Sequence, residues 1–278
     1  MTPVPRYAGL DVAALLDAQA KARGEHPFLA WAPFDEPSQT WSYAAFAARA
    51  ASLAGALSAK GVRPGDRVMV ALENCPEFLV AWFACARLGA ILVAGNPALA
   101  PAELDWAASH CGAALRLSRE DCASLEGPAP TPRKPDPDTD VAILYTSGTT
   151  ARPKGVLWTH GNALWAAQLG AMQLGLRAED RLQVCLPLCH VVGFSWSILP
   201  ALWAGATVVL QPRFSASRYW DAALAHRATV ASHVQFTAGV LSRQPVPEGH
   251  SFRLWGNSVW SRAPLSPRRR WKPAGAAD

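Results

Sequence analysis

Tyr145-Thr146-Ser147-Gly148-Thr149-Thr150-Ala151-Arg152-Pro153-Lys154-Gly155 is the stretch on which the chain turns. The apolar run Val141-Ala142-Ile143-Leu144 stops at its start, and hydroxyls, glycines and two cations follow within ten residues. Main-chain N–H groups in such a loop can surround phosphate oxygens, Ser and Thr hydroxyls add donors without bulk, and Lys154 supplies a positive charge. A polar turn between two strands has the same composition. The apolar run before the loop favours ligand binding, because α/β proteins bind ligands at strand ends. The phosphate loop G-x-x-x-x-G-K-[ST] is excluded: five residues after Gly148 comes Pro153, and Lys154 is followed by Gly155.

Outward from that loop the chain alternates. Upstream, a helix is expected over 10–22, strands at 28–31 and 39–41, and an Ala-rich helix capped by Ser42 and ended by Gly61. A strand at 67–72 leads to a buried helix with Asn74 as its cap and Pro76 in its first turn; a strand at 91–93, a helix from Pro101 to His110 and a strand at 113–117 follow. Downstream, strand 156–158 precedes a helix capped by His160 or Asn162. Strands at 180–185, 207–210 and 228–232 then alternate with helices at 193–203, 217–225 and 236–242. This is the pattern of an α/β fold with helix-flanked, mostly parallel sheets. Five prolines between Gly127 and Asp138 mark the best candidate boundary. The expected division is a first α/β subdomain over 1–126, a linker over 127–138, a second subdomain with the loop over 139–250, and a basic tail over 251–278.

The 278 residues suffice for a large buried core, and the formal net charge is +5. Six of the 26 Lys and Arg and one of the 21 acids lie in 251–278, which leaves 20 of each before it. The body therefore has no basic excess to suggest a nucleic-acid surface. Among six cysteines, Cys185, Cys189 and His190 form the sole cluster; it lies in an apolar stretch, which favours buried thiols in a reducing compartment over a metal site. The first residues carry no signal-peptide pattern, and a cytoplasmic location is expected. No Asp, Glu, Lys or Arg falls between Arg181 and Arg213, long enough for a bilayer span, but Pro187, Gly193, Pro200 and Gly205 break it into strand, helix and strand.

Tyr145 to Gly155, with Asp140-Val141-Ala142 before it and Thr159-His160-Gly161-Asn162 after it, resembles the signature loop of the adenylate-forming enzymes. Thr40-Trp41-Ser42-Tyr43, Gly65-Asp66-Arg67-Val68 and Gly89 to Pro97 resemble that family's early motifs in order. Leu186-Pro187-Leu188-Cys189-His190-Val191-Val192-Gly193-Phe194 resembles the substrate-side motif of its acyl- and aryl-CoA synthetase branch. The resemblance covers about residues 10 to 250. It implies that Thr146, Ser147, Gly148, Thr149, Thr150 and Lys154 hold the β- and γ-phosphates of ATP. It further implies that Lys154 stabilises charge on departing pyrophosphate and that His190 lies near the carboxylate, with Gly193 and Phe194 bordering the acyl pocket. Gln235, Phe236 and Gly239 are equally suited to that pocket and to core packing. Trp158, Trp165, Trp196 and Trp203 are read as core. ATP, Mg2+, CoA and a carboxylic acid are the implied ligands, and the implied reaction makes an acyl-adenylate and then a thioester.

Two departures accompany the resemblance. Ala151 stands where the family usually has Gly, at a cost of about 1 to 2 kcal/mol if that position needs positive φ. The family's Tyr-Gly-x-Thr-Glu segment, which serves adenine and magnesium, its ribose aspartate and its small domain with a catalytic lysine have no counterpart here. After Gly249 the chain turns Trp-, Arg- and Pro-rich, as in Arg268-Arg269-Arg270. The expectation is a reading frame broken near residue 254. The alternatives to a ligase are an inactive fragment that binds nucleotide or acyl groups, and a basic interaction tail.

Overall fold

The computed structural model describes residues 7–146 and 152–257. Local chemistry sets many of its element ends. Helix α1 (Val12–Arg23) begins where the Asp11 carboxylate accepts a hydrogen bond from the Ala14 amide at 2.7 Å, satisfying a donor the helix leaves free. β1 (Pro27–Trp31) and β2 (Gln39–Ser42) form an antiparallel pair, and Ser42 caps α2 (Tyr43–Ala59). β3 (Arg67–Val70), α3 (Pro76–Leu88), β4 (Ile91–Ala94), α4 (Pro101–Cys111), β5 (Ala113–Leu117) and α5 (Arg119–Ser124) follow. β6 (Asp140–Tyr145) and β7 (Gly155–Thr159) are an antiparallel hairpin, from which α6 (His160–Gln173) leaves directly. Thr159 caps α6, in place of the expected His160 or Asn162: its hydroxyl accepts from the Asn162 amide while Asn162 Oδ1 accepts from Thr159 N, each at 3.1 Å.

β8 (Arg181–Val184) leads through a turn to α7 (Val191–Gly193), a π-helical turn (Phe194–Ile198) and α8 (Leu199–Ala204). β9 (Thr207–Leu210), α9 (Tyr219–Ala225), β10 (Val230–His233), α10 (Gln235–Leu241) and β11 (Leu254–Asn257) complete the described chain.

The strands form two sheets, ordered β11-β10-β8-β9-β1-β2 and β5-β3-β4-β6-β7. Only the β1–β2 and β6–β7 pairs are antiparallel. The sheets are thus helix-flanked and mostly parallel, as the alternation predicts. The two sheets do not divide at the proline-rich segment 127–138. β1, before it, pairs with β9, and β6, after it, pairs with β4. β4 and β9 are buried along their whole length, and such strands need a neighbour on each edge wherever the chain can supply one. Nor is the segment a free linker. The Arg133 guanidinium reaches Asp11 at 2.7 Å and His160 Nε2 at 2.9 Å, tying it to the starts of α1 and α6. Gly55 sits inside α2 because a Cβ there would lie 2.0 Å from the Pro128 carbonyl oxygen. The sheet continues past residue 250 through β11, which pairs in parallel with β10, so 251–257 belong to the fold and not to a tail. The remaining tail residues lie outside the described ones.

α3 lies in the core. The Phe83 ring meets Phe46 of α2 edge-on at 5.6 Å and Phe28 of β1 at 6.4 Å, and Trp82 tilts against Phe194 at 4.5 Å. One apolar cluster thereby joins helices and strands of both sheets and holds the carboxyl ends of their parallel strands beside each other.

Candidate functional site

The stretch that opened the sequence reading is the connection of the β6–β7 hairpin. Its base is closed by Thr146 N donating to the Lys154 carbonyl at 2.9 Å, one step beyond the Tyr145–Gly155 pair. It is therefore a turn between two strands, and also a loop with exposed hydroxyl and ammonium groups. Ser147, Gly148, Thr149 and Thr150 lie outside the described residues. Lys154 is exposed, and among the described residues its ammonium has no partner.

α4 holds both ends of this loop. The Tyr145 hydroxyl donates to the Ala107 carbonyl at 2.9 Å and lies 2.9 Å from His110 Nδ1. Burial, with Cys111 nearby, pushes its pKa up to about 12, so it stays a donor. At the other end the Arg152 guanidinium sits 5.6 Å from the Trp106 ring centre, and Trp106 stacks on His110 at 4.8 Å.

Beside the loop an open cavity of about 360 Å³ is lined by Tyr145, Thr146, Arg152 and Pro153, by Trp106, Ala107 and Leu104 of α4, by Gly95 and Asn96 after β4, and by Cys189 and His190. Asn96, Glu103, Thr146, Arg152 and His190 give the cavity polar and charged groups, and apolar side chains form the rest of its wall. His190 arrives from the other sheet. It closes the turn after β8, its amide donating to the Pro187 carbonyl at 3.1 Å, and its carbonyl accepts from Phe194 N at 3.1 Å. Among the described residues the exposed His190 ring makes no hydrogen bond.

The other residues expected around the acid are placed differently. Gly193 is buried against the backbone: a Cβ there would lie 2.1 Å from the Pro187 carbonyl oxygen. Phe194 packs in the core against Trp82 and Phe78. Neither lines the 360 Å³ cavity; both support the turn that carries His190. Phe236 is 70% exposed and lines a second cavity of about 350 Å³ with Val234 and Thr237, which meets the first at Asn96 and Cys189. Gln235 and Gly239 line neither. Cys185 and Cys189 are buried free thiols, raised by burial to about 12 and about 11, which leaves them protonated. Among the described residues no three His, Cys, Asp or Glu come together to hold a metal ion. Also among them, no helix is long and apolar enough to cross a membrane.

The family model for the AMP-binding enzyme matches residues 16–129 and 116–251. The chain belongs to the AMP-binding enzyme family. A crotonobetaine/carnitine–CoA ligase of Salmonella paratyphi B is 30% identical over 276 residues, covering 85% of this chain and 53% of that relative. The one from Shigella flexneri serotype 5b is 32% identical over 223 residues, covering 66% and 44%. The chain thus spans about half the length of the curated relatives it matches. Among solved structures, the o-succinylbenzoate–CoA synthetase of Bacillus subtilis in complex with AMP is 29% identical with a TM-score of 0.78, over 87% of this chain and 67% of that one. The N-terminal domain of FACL13 from Mycobacterium tuberculosis, 24% identical with a TM-score of 0.79, has the same fold over 88% of this chain and 69% of its own.

In this AMP-binding enzyme chain several site neighbours escape a reading of the sequence. Trp106, His110 and Arg152 meet only because β4 and β6 are adjacent, a pairing that no local pattern announces. Asn74 does not cap α3; Cys75 holds the cap position, and the Asn74 side chain points into the protein. Of the tryptophans read as core, Trp158 and Trp203 do pack against the main apolar cluster, whereas Trp165 is 45% exposed and meets Trp196 edge-on at 6.5 Å.

Proposed function

We propose that this chain carries the phosphate- and acid-binding part of an ATP-dependent carboxylate–CoA ligase. The observation that supports this most directly is the single cavity reached by Thr146 and Arg152 from one sheet and by His190 from the other. The donor set fits a nucleotide: the Arg152 guanidinium and the Thr146 hydroxyl reach the cavity, and Lys154, two residues beyond Arg152, is exposed and has no partner among the described residues. Bound ATP supplies the activated phosphorus and the pyrophosphate leaving group. Lys154 and the loop donors bind the β- and γ-phosphates and offset the charge that grows on pyrophosphate. His190 orients the carboxylate, and the apolar wall excludes water that would compete with it. The described residues supply no metal site of their own, so Mg2+ is assigned to the nucleotide. CoA is the proposed acyl acceptor.

Exchange of labelled pyrophosphate into ATP, driven by a panel of aliphatic and aromatic carboxylic acids, tests this reading. Exchange with at least one acid is expected, and Lys154→Ala should lower it about a hundredfold or more, as loss of a transition-state charge partner does. A second reading is nucleotide binding without turnover. Measurable ATP affinity with no exchange for any acid selects that reading, and the absence of both rejects the two together.

A further inference from the structure

We propose that Asn74 is a positioning residue that sets the place of His190 in the cavity, acting from the far sheet through the backbone of the His190 turn. The inference rests on the assignment of His190 to the acid site. Asn74 follows β3 of the five-stranded sheet and is 4% exposed. Its amide nitrogen donates to the carbonyls of Leu186 at 3.0 Å and Gln211 at 3.1 Å, and its amide oxygen accepts from Leu188 N at 2.8 Å. Leu186 and Leu188 follow β8, and Gln211 follows β9. One side chain thus spans the junction of the two sheets and engages three main-chain groups of the other sheet.

The pattern is specific to an amide. Two N–H donors and one carbonyl acceptor are matched to two carbonyls and one N–H, which a carboxylate, with no donor, or a hydroxyl, with one, cannot reproduce. All three partners are backbone atoms outside the strands, and Leu186 and Leu188 flank the first residue of the turn that carries His190. Leu188 is the second residue of the turn that the His190 amide closes on Pro187. Gly193 also lies against this turn, where a side chain would overlap Pro187. Asn74 and Gly193 thus both contact the turn, and His190 at its end lines the cavity. Precise placement matters there, because a shift of about 1 Å in an orienting group can cost a hundredfold in rate.

Two measurements on the full chain test the proposal. In native-state hydrogen exchange of the wild type, the Leu188 amide should be among the slowly exchanging groups although it lies in a turn. Exchange at the rate of an open turn overturns the proposal, and this holds even where the variant does not fold. In folded Asn74→Ala, Leu188 should exchange about tenfold faster or more while the β4 amides at 91–94 keep their wild-type rates. An unchanged Leu188, or equal acceleration throughout, shows that Asn74 does not act on this turn and sinks the idea. In pyrophosphate exchange, the KM for the carboxylic acid should rise about tenfold in Asn74→Ala with the KM for ATP within about twofold of wild type; equal rises in both overturn the positioning role. If the wild type exchanges no pyrophosphate, the ligase reading fails on its own, and hydrogen exchange still decides what Asn74 does.

Discussion

At the scale of single residues, the site is supported by side chains whose task is to be absent or neutral as often as by those that reach a ligand. Gly193 lies in a motif that resembles a substrate-binding one, which suggests a place beside the acyl group. Its buried position against Pro187 gives it a supporting place in the turn, which no composition or spacing could reveal because an added Cβ would meet backbone atoms six and seven residues earlier. Gly193→Ala must push the turn away from the helix that follows it. A loss of about 1 to 3 kcal/mol in urea denaturation is expected, in line with overpacking of a close contact, and with it a weaker response to the carboxylic acid. Stability within about 0.3 kcal/mol of wild type would show that the turn yields freely. Arg133 is the converse case, a cation in a proline-rich stretch with the look of solvated surface. Its partner Asp11 is 2% exposed, so Arg133→Ala strands a buried carboxylate and should cost about 3 to 5 kcal/mol by the same measurement. A cost below about 1 kcal/mol would mean that Asp11 finds another partner.

At the scale of elements, the α/β alternation was legible throughout, because helical and strand periods and Gly or Ser punctuation recur in almost every segment. Two kinds of feature were not. Caps were misplaced where neighbouring polar groups compete, as with Asn74 for Cys75 and with His160 or Asn162 for Thr159, since only the backbone angles decide which residue stands outside the helix. Strand neighbours were hidden as well: β1 and β6 each join the sheet on the far side of the proline-rich segment. The second failure concealed the grip of α4 on both ends of the β6–β7 loop. Trp106 holds Arg152 through its ring face, an interaction worth about 0.5 to 1 kcal/mol at an exposed site. Trp106→Leu keeps apolar volume and removes that face, so ATP affinity in calorimetric titration should fall about two- to fivefold. Affinity equal to wild type would separate Arg152 from nucleotide binding.

At the scale of the whole molecule, the fold buries two histidines that must stay uncharged. His160 is fully buried, with the Val12 amide donating to Nδ1 at 3.3 Å and the Arg133 guanidinium 2.9 Å from Nε2, so a second ring proton would remove the acceptor of the Val12 amide and set a cation against the guanidinium. Burial, then the Arg133 charge, lowers its pKa to about 3. His233 is also fully buried, between the Tyr219 hydroxyl at 2.9 Å and Thr237 at 3.1 Å, and burial lowers it to about 3. In the unfolded chain both titrate near 6.5, so below that pH the unfolded state binds protons that the folded state refuses. Their stabilising share is complete above about pH 6.5 and drains away as the pH falls toward 3. At roughly 1.4 kcal/mol per group and pH unit, pH 5 removes up to about 2 kcal/mol for each histidine, about 4 in all. The paired carboxylate of Asp180 is held below the usual range by Arg253 and Thr229 against the opposing effect of burial, so it stays ionised over this window and contributes little to the slope. Urea denaturation at pH 7.5, 6 and 5 should therefore show a progressive loss that His233→Gln halves. A flat profile over that range would require both rings to carry a proton in the folded protein and would sink this account.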